Sequence, residues 1–220
     1  MEYSDIVAGL AEMRLVPRGG FAIEDADGVP GGGATLLLAG FAGPEMWRAF
    51  TAGRASADEP LDDWTRRGLS PIAEKLGAKP LFPFGGPPHL PFQRWAMKAG
   101  GVHVSPVCTL IDADFGLWHA YRGALVFAKA VSLPAADARS HPCEDCADRP
   151  CLSACPVDAW TESKLDLGAC VTHLGQTPGG DCMTRGCRAR RTCPVGHVYE
   201  PAQAGFHMAA FFARLRDRAA

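Results

Sequence analysis

The chain has 220 residues, 47% of them apolar and 21% charged, enough to bury a core and too apolar for a disordered chain. Lys and Arg total 22 against 24 Asp and Glu, a formal charge of −2, which argues against general nucleic-acid binding because that needs a basic surface. Eight of the nine cysteines fall between Cys143 and Cys193. Residues 5–14 have apolar Ile6, Leu10 and Met13 at helical spacing and predict a short helix ahead of Gly19-Gly20. Residues 21–24 and 34–39 read as strands, joined by a turn-rich stretch over 25–33. The triple glycine at 31–33 precedes a strand and lacks a following Lys-Ser/Thr, so it reads as a connection and not a phosphate loop. Residues 44–52 and 61–76 predict helices, the second kinked or divided at Pro71. A short strand over 81–84, a helix over 92–99, a buried strand over 124–131 and an amphipathic tail helix over 204–218 complete the pattern.

Helices interspersed with strands, without a regular βαβ repeat, predict an α+β fold with a mixed or antiparallel sheet. Composition shifts near residue 135, which gives an α+β cofactor- or substrate-binding domain over 1–135. A small ferredoxin-like iron–sulfur domain over 136–200 follows, with a C-terminal helix over 201–220 packing back. The start, Met1-Glu2-Tyr3-Ser4-Asp5, has no basic or long apolar segment of the kind a secretion signal needs. The longest apolar stretch, 34–43, is far short of the ~20 residues of a membrane helix. The expectation is a cytoplasmic protein with no membrane partner, whose clustered thiols bind metal or catalyse and do not form a disulfide framework.

The cysteines run Cys143-x2-Cys146-x4-Cys151-x3-Cys155-Pro156 and then Cys170-x11-Cys182-x4-Cys187-x5-Cys193-Pro194. Three close thiols followed by Cys-Pro is the bacterial ferredoxin pattern, in which the fourth cysteine serves the other cluster. The crossed assignment gives cluster A Cys143, Cys146, Cys151 and Cys193, and cluster B Cys155, Cys170, Cys182 and Cys187, each a [4Fe-4S] centre. Two structural zinc sites are the alternative, although only Cys143/Cys146 has the C-x2-C form zinc knuckles favour. The looser gaps in the second run also leave open one cluster with a degenerate second site. Glu144, Asp145 and Asp148 crowd the first run, while Arg185, Arg188, Arg190 and Arg191 surround the second. That asymmetry is either a solvated face or a docking surface for an electron donor such as flavodoxin or ferredoxin. Cys108 sits in an apolar context and reads as a small core residue.

The segment from Cys143 to Pro156 resembles dicluster ferredoxin modules. The order Ala169-Cys170-Val171-Thr172-His173-Leu174, returning to a final Cys-Pro, resembles the epoxyqueuosine reductase family, although the chain is much shorter and lacks a match to that family's acidic catalytic motif. A second stretch, Phe115-Gly116-Leu117-Trp118 through Arg122-Gly123 and into an apolar strand, is similar to the cobalamin-processing chaperones. These resemblances imply a nitroreductase-like, cobalamin-chaperone-like first domain and, beside the two clusters, cobalamin as a candidate cofactor. Flavin stays open, since fold does not fix function. Trp118, His119, Tyr121 and Arg122 are the candidate cofactor-binding residues: aromatic faces with polar tips ahead of a buried strand. Each has a bland alternative, Trp118 and His119 as core residues and Arg122 as a partner of Asp112 or Asp114. The proline-aromatic run from Phe82 to Trp95 is either a rim of that pocket or ordinary surface packing. The reading is an iron–sulfur oxidoreductase relaying single electrons to a corrinoid or other small-molecule ligand. The alternative is a non-catalytic ferredoxin-like electron-transfer protein, and a third is a zinc-stabilised binding module.

Overall fold

The computed structural model describes residues 1–56, 59–161, 164–176, 180–196 and 198–219. It divides into two units, Met1–Gly101 with His119–Arg139, and Val102–Trp118 with Ser140–Ala220. The first unit thus runs past the expected boundary at 135 and gives up an internal segment. Val131 N–H donates to Thr35 Oγ1 and Gly101 N–H to Asp137 O, which stitch the chain beyond the last strand back onto its own unit.

The first unit is built on β1 (Val16–Ala22), β2 (Thr35–Ala42), β3 (Ala78–Leu81) and, after the excursion, β6 (His119–Phe127). They form one sheet in the order β1-β2-β6-β3, antiparallel at every pairing. Leu36, Leu37 and Leu38 on β2 are all buried, so successive residues on both faces are covered. The covering helices are α1 (Tyr3–Ala11), α2 (Glu45–Gly53), α3 (Leu61–Lys75) and α4 (Phe92–Ala99). Leu61, Trp64, Thr65, Leu69 and Ile72 recur at helical spacing and bury one face of α3, which continues through Pro71 as a single helix. The outer strands begin earlier than the sequence suggests, β1 at Val16 where a strand over 21–24 is expected and β3 at Ala78 where one over 81–84 is expected. Pro17 and Pro80 both lie on edge strands, where a missing N–H costs no ladder bond.

Asp27, in a single 3₁₀ turn over Asp25–Asp27, ties this unit together. Trp95 Nε1 and Arg94 Nη2 donate to its carbonyl, and Lys98 Nζ meets its carboxylate at 2.8 Å. Burial alone would raise the Asp27 pKa, but the Lys98 ammonium and the Glu24 N–H outweigh it and hold the carboxyl below the usual carboxylate range. A depressed folded value stabilises the fold above the unfolded carboxyl's pKa, about 4, and that gain drains as the pH falls through the folded value. Urea unfolding should therefore place Asp27→Asn well below the parent chain at pH 7, with the difference shrinking at pH 3.

The second unit contains the hairpin β4 (Val102–Val104) and β5 (Leu110–Asp112), and the two-residue ribbon β7 (Trp160–Thr161) with β8 (Lys164–Leu165). Its helices are α5 (Pro150–Ser153), α6 (Leu167–Gln176), α7 (Asp181–Arg185), α8 (Arg188–Arg191) and α9 (Pro201–Ala219). Cys108 stands in the hairpin turn, exposed, with φ 52°, and is not the small core residue expected. Its apolar neighbours misled: Val107 turns inward and is 1% exposed. Val107, Ile111 and Leu117 pack with Ala189 and Cys193 into one core, bordered by Cys143, Cys151 and Cys187. The segment over 102–118 is therefore half of the wall against which the cysteine-bearing turns sit. Two glycines permit the closest approach in it. A Cβ on Gly116 would lie 1.9 Å from Val195 O, and one on Gly196 would lie 2.1 Å from the Phe115 carbonyl carbon. The α9 helix docks by the same device, with Gly205 against the Thr184 carbonyl.

Candidate metal centre

Within each group, gaps of two to five residues allow one helical turn between ligands and no more, whereas eleven residues separate Cys170, in a ten-residue helix, from Cys182. Cys151 lies in α5, Cys170 in α6 and Cys182 in α7, while Cys187 caps α8 and Cys193 follows it. Cys143, Cys146, Cys151 and Cys193 line one open recess, with Ile111 and Pro194 in its wall. The Cys143 thiol is pushed up to about 11, first by burial and then by Cys193, Cys151 and Cys146, with Arg149 opposing. Cys170 is likewise pushed up to about 11, by burial and then by Cys187, Cys155 and Cys182. Two sets of four thiols therefore feel one another, and each set takes its fourth member from the other run of the sequence.

Four thiols packed so closely resist ionising together, and a bound cation removes that conflict. The all-sulfur donor set suits iron–sulfur chemistry. Among the described residues, no three His, Cys, Asp or Glu side chains converge tightly enough to hold a single bare metal ion. The surroundings fix the thiols by their backbones. Cys143 N–H donates to His141 Nδ1 at 3.2 Å, and His141 Nε2 contacts Val104 O at 3.0 Å. His103 stacks on the same ring at 4.7 Å. Ala159 N–H donates to Cys155 Sγ at 3.3 Å.

The arginine-rich second run is less of a surface than its sequence suggests. Asp181 gathers Arg185, Arg188 and Arg191; the Arg188 contact is 2.7 Å, and Arg191 makes a shorter one. Arg185 and Arg188 remain about half exposed, whereas Arg191 is largely covered.

The four residues expected to line a cofactor pocket do not act as one wall. Trp118 belongs to the second unit, 8% exposed and stacked on Tyr199 at 4.3 Å. His119, Tyr121 and Arg122 lie on β6 in the first unit, with the His119 and Tyr121 rings edge to face at 5.9 Å. Ala39 pairs with Gly123 and Gly40 with Tyr121, which leaves Arg122 as the extra residue of a β-bulge. The bulge aims Arg122 at α3. Its Nη2 donates to Thr65 Oγ1, Leu61 O and Asp62 Oδ1, the last at 2.8 Å, and the guanidinium stacks on Phe84. Arg122 is thus a buried clamp between strand and helix, with Asp62 as its carboxylate, and neither Asp112 nor Asp114 takes that place. No spacing signal in the sequence could pair it with a residue sixty positions away. Arg122→Met should destabilise the fold by about 3 kcal/mol, as breaking a buried pair does, read as a lowered urea midpoint. In the proline-aromatic run Phe82, Phe92 and Trp95 are buried, while Gly86, Pro87, Pro88 and His89 are exposed.

No protein-family model matches the chain, and no curated protein does. Its fold nevertheless has solved counterparts, epoxyqueuosine reductases among them. The chain is similar to an epoxyqueuosine reductase solved with an epoxyqueuosine-modified tRNA-Tyr stem loop, at 14% identity and TM-score 0.52. That likeness covers 91% of this chain and 69% of the other. It is similar also to epoxyqueuosine reductase from Streptococcus thermophilus, at 13% identity and TM-score 0.53, covering 87% of this chain and 65% of that one. The likeness is one of fold, an α+β architecture with small antiparallel sheets, and this chain spans about two thirds of those enzymes' length. The expectation of no general nucleic-acid binding is overturned by the first of these structures, in which an enzyme of similar fold is solved with a tRNA stem loop. A total charge of −2 averages over the whole surface and does not report where individual arginines stand. No helix among the described residues is long and apolar enough to cross a membrane.

Proposed function

We propose that this protein is an iron–sulfur oxidoreductase acting on an RNA-borne substrate. Cys143, Cys146, Cys151 and Cys193 hold one [4Fe-4S] cluster, and Cys155, Cys170, Cys182 and Cys187 hold the other. The observation that carries the reading is the sorting of eight thiols into two mutually interacting fours that cross between the two runs. Bound there, such clusters supply one-electron transfer at potentials set by nearby charge, hydrogen bonds to sulfur and exposure.

The chain's own residues provide those controls. The Ala159 N–H donates a hydrogen bond to Cys155 Sγ, and the Arg149 guanidinium opposes the upward push on the Cys143 thiol. His141 orients the Cys143 backbone, and Pro156 and Pro194 turn the chain away after each last cysteine. RNA as the substrate class is supported by the fold likeness to an enzyme solved with a tRNA stem loop, and the exposed Arg185 and Arg188 offer cations for phosphate. A corrinoid in the first unit has no support, because Arg122, its intended contact, is consumed by Thr65, Leu61 and Asp62.

Purification without oxygen tests the metal half. Brown protein with about eight iron and eight sulfide per chain is expected, and colourless protein carrying zinc would overturn the reading. Titrating a labelled tRNA anticodon stem loop at several salt concentrations tests the other half. Affinity that falls log-linearly with salt is expected, and absence of binding at low salt removes RNA as the substrate class.

A further inference from the structure

Arg190 stands apart from its neighbours. Arg185, Arg188 and Arg191 share Asp181, whereas Arg190 has no carboxylate partner among the described residues. Its Nε is shut off from solvent without a hydrogen-bond partner, and Nη2 donates to Leu117 O. The guanidinium lies 4.5 Å over the ring of Trp118, which also stacks on Tyr199. Burial pushes the Arg190 pKa down, while the nearby Cys187 thiol opposes that shift. An enclosed cation without an anion is expensive, and one hydrogen bond with one aromatic face does not compensate for lost water. Such a charge makes sense when its counter-ion arrives later. The α8 turn that carries Arg190 begins at Cys187 of one thiol set and ends just before Cys193 of the other. Four thiolates around an iron–sulfur core form an anion, and each electron added makes it more negative. A fixed cation beside it favours the reduced state.

We propose that Arg190 is the built-in counter-charge of the Cys187-containing set and raises the reduction potential of the cluster held there. This inference rests on the two-cluster reading above. Full-length parent, Arg190→Met and Arg190→Lys are reconstituted without oxygen, assayed for iron and sulfide, and titrated with dithionite while electron paramagnetic resonance follows each cluster. Arg190→Met is expected to lower one of the two midpoints by about a tenfold change in reduction equilibrium, 59 mV for one electron. Arg190→Lys should recover most of that loss. Loss of half the iron in Arg190→Met, restored in Arg190→Lys, supports the proposal equally. The iron-free Arg190→Met chain should resist urea at least as well as the iron-free parent, because the group removed was an unpaired charge. Full iron with both midpoints unmoved in Arg190→Met overturns the counter-charge and leaves the clusters standing. A parent chain that takes up no iron overturns both.

Discussion

Replacing Cys193 by serine is expected to halve the iron and sulfide of protein prepared without oxygen, from about eight to about four per chain. The remaining centre should be the one held by Cys155, Cys170, Cys182 and Cys187. Cys193 lies in the second run of the sequence, yet it lines the recess with Cys143, Cys146 and Cys151, and it is the second-largest cause of the raised Cys143 pKa, after burial. A model in which each run serves its own cluster predicts something else. Cys193→Ser would then spare a cluster held by Cys143, Cys146, Cys151 and Cys155. Pairing Cys193→Ser with Cys143→Ser separates the two models. If the sets cross, the two variants lose the same cluster and show the same remaining paramagnetic spectrum. If they do not cross, Cys143→Ser removes the first run's cluster and Cys193→Ser the second's, and the remaining spectra differ. Equal iron in Cys193→Ser and the parent would remove Cys193 from the ligand set.

Gly116→Ala and Gly196→Ala should each unfold the second unit or cost at least about 4 kcal/mol, read by urea or thermal unfolding. Both glycines occupy the left-handed region, with φ 55° and 70°, where an L side chain is strained before any contact is counted. Their new Cβ atoms would meet backbone, not a mobile side-chain end, at 1.9 and 2.1 Å. The segments must therefore part. Parting them separates the 115–116 turn from the 195–196 turn, beside Leu117 and Cys193 in the shared core. Gly32 is the control. It also has positive φ, at 63°, but nothing lies within 4 Å of its Cβ position, so Gly32→Ala should cost only the conformational strain, on the order of 1 kcal/mol.

Ligand spacing and Cys-Pro punctuation are local signals, and the crossed grouping they suggest agrees with the recess that Cys193 shares with Cys143, Cys146 and Cys151. The helices at 5–14, 61–76 and 92–99 were equally legible through their apolar periodicity. Less was visible where long-range contacts decide. Arg122 carries no local mark of its bulge, and its partners lie on a helix far back in the chain. Trp118 and His119 are adjacent in sequence but fall in different units, a division with no local mark in the sequence. β4 and β5, three residues each, are too short for alternation to register. Net charge misled on nucleic acid because it is a sum, and a handful of exposed arginines is invisible in it.

The excursion of 102–118 has a consequence for how the molecule can be made and cut. The cysteine-bearing unit is not a tail that can be detached: a fragment starting at 140 lacks Val107, Ile111 and Leu117, and its core is open on one side. During synthesis those three residues emerge long before the thiols they will face, and they wait with their apolar surface uncovered until the last fifth of the chain has appeared. On the proposed two-cluster reading, iron loads only once the whole polypeptide has been made, and a nick within 102–118 should release metal although every cysteine remains in place.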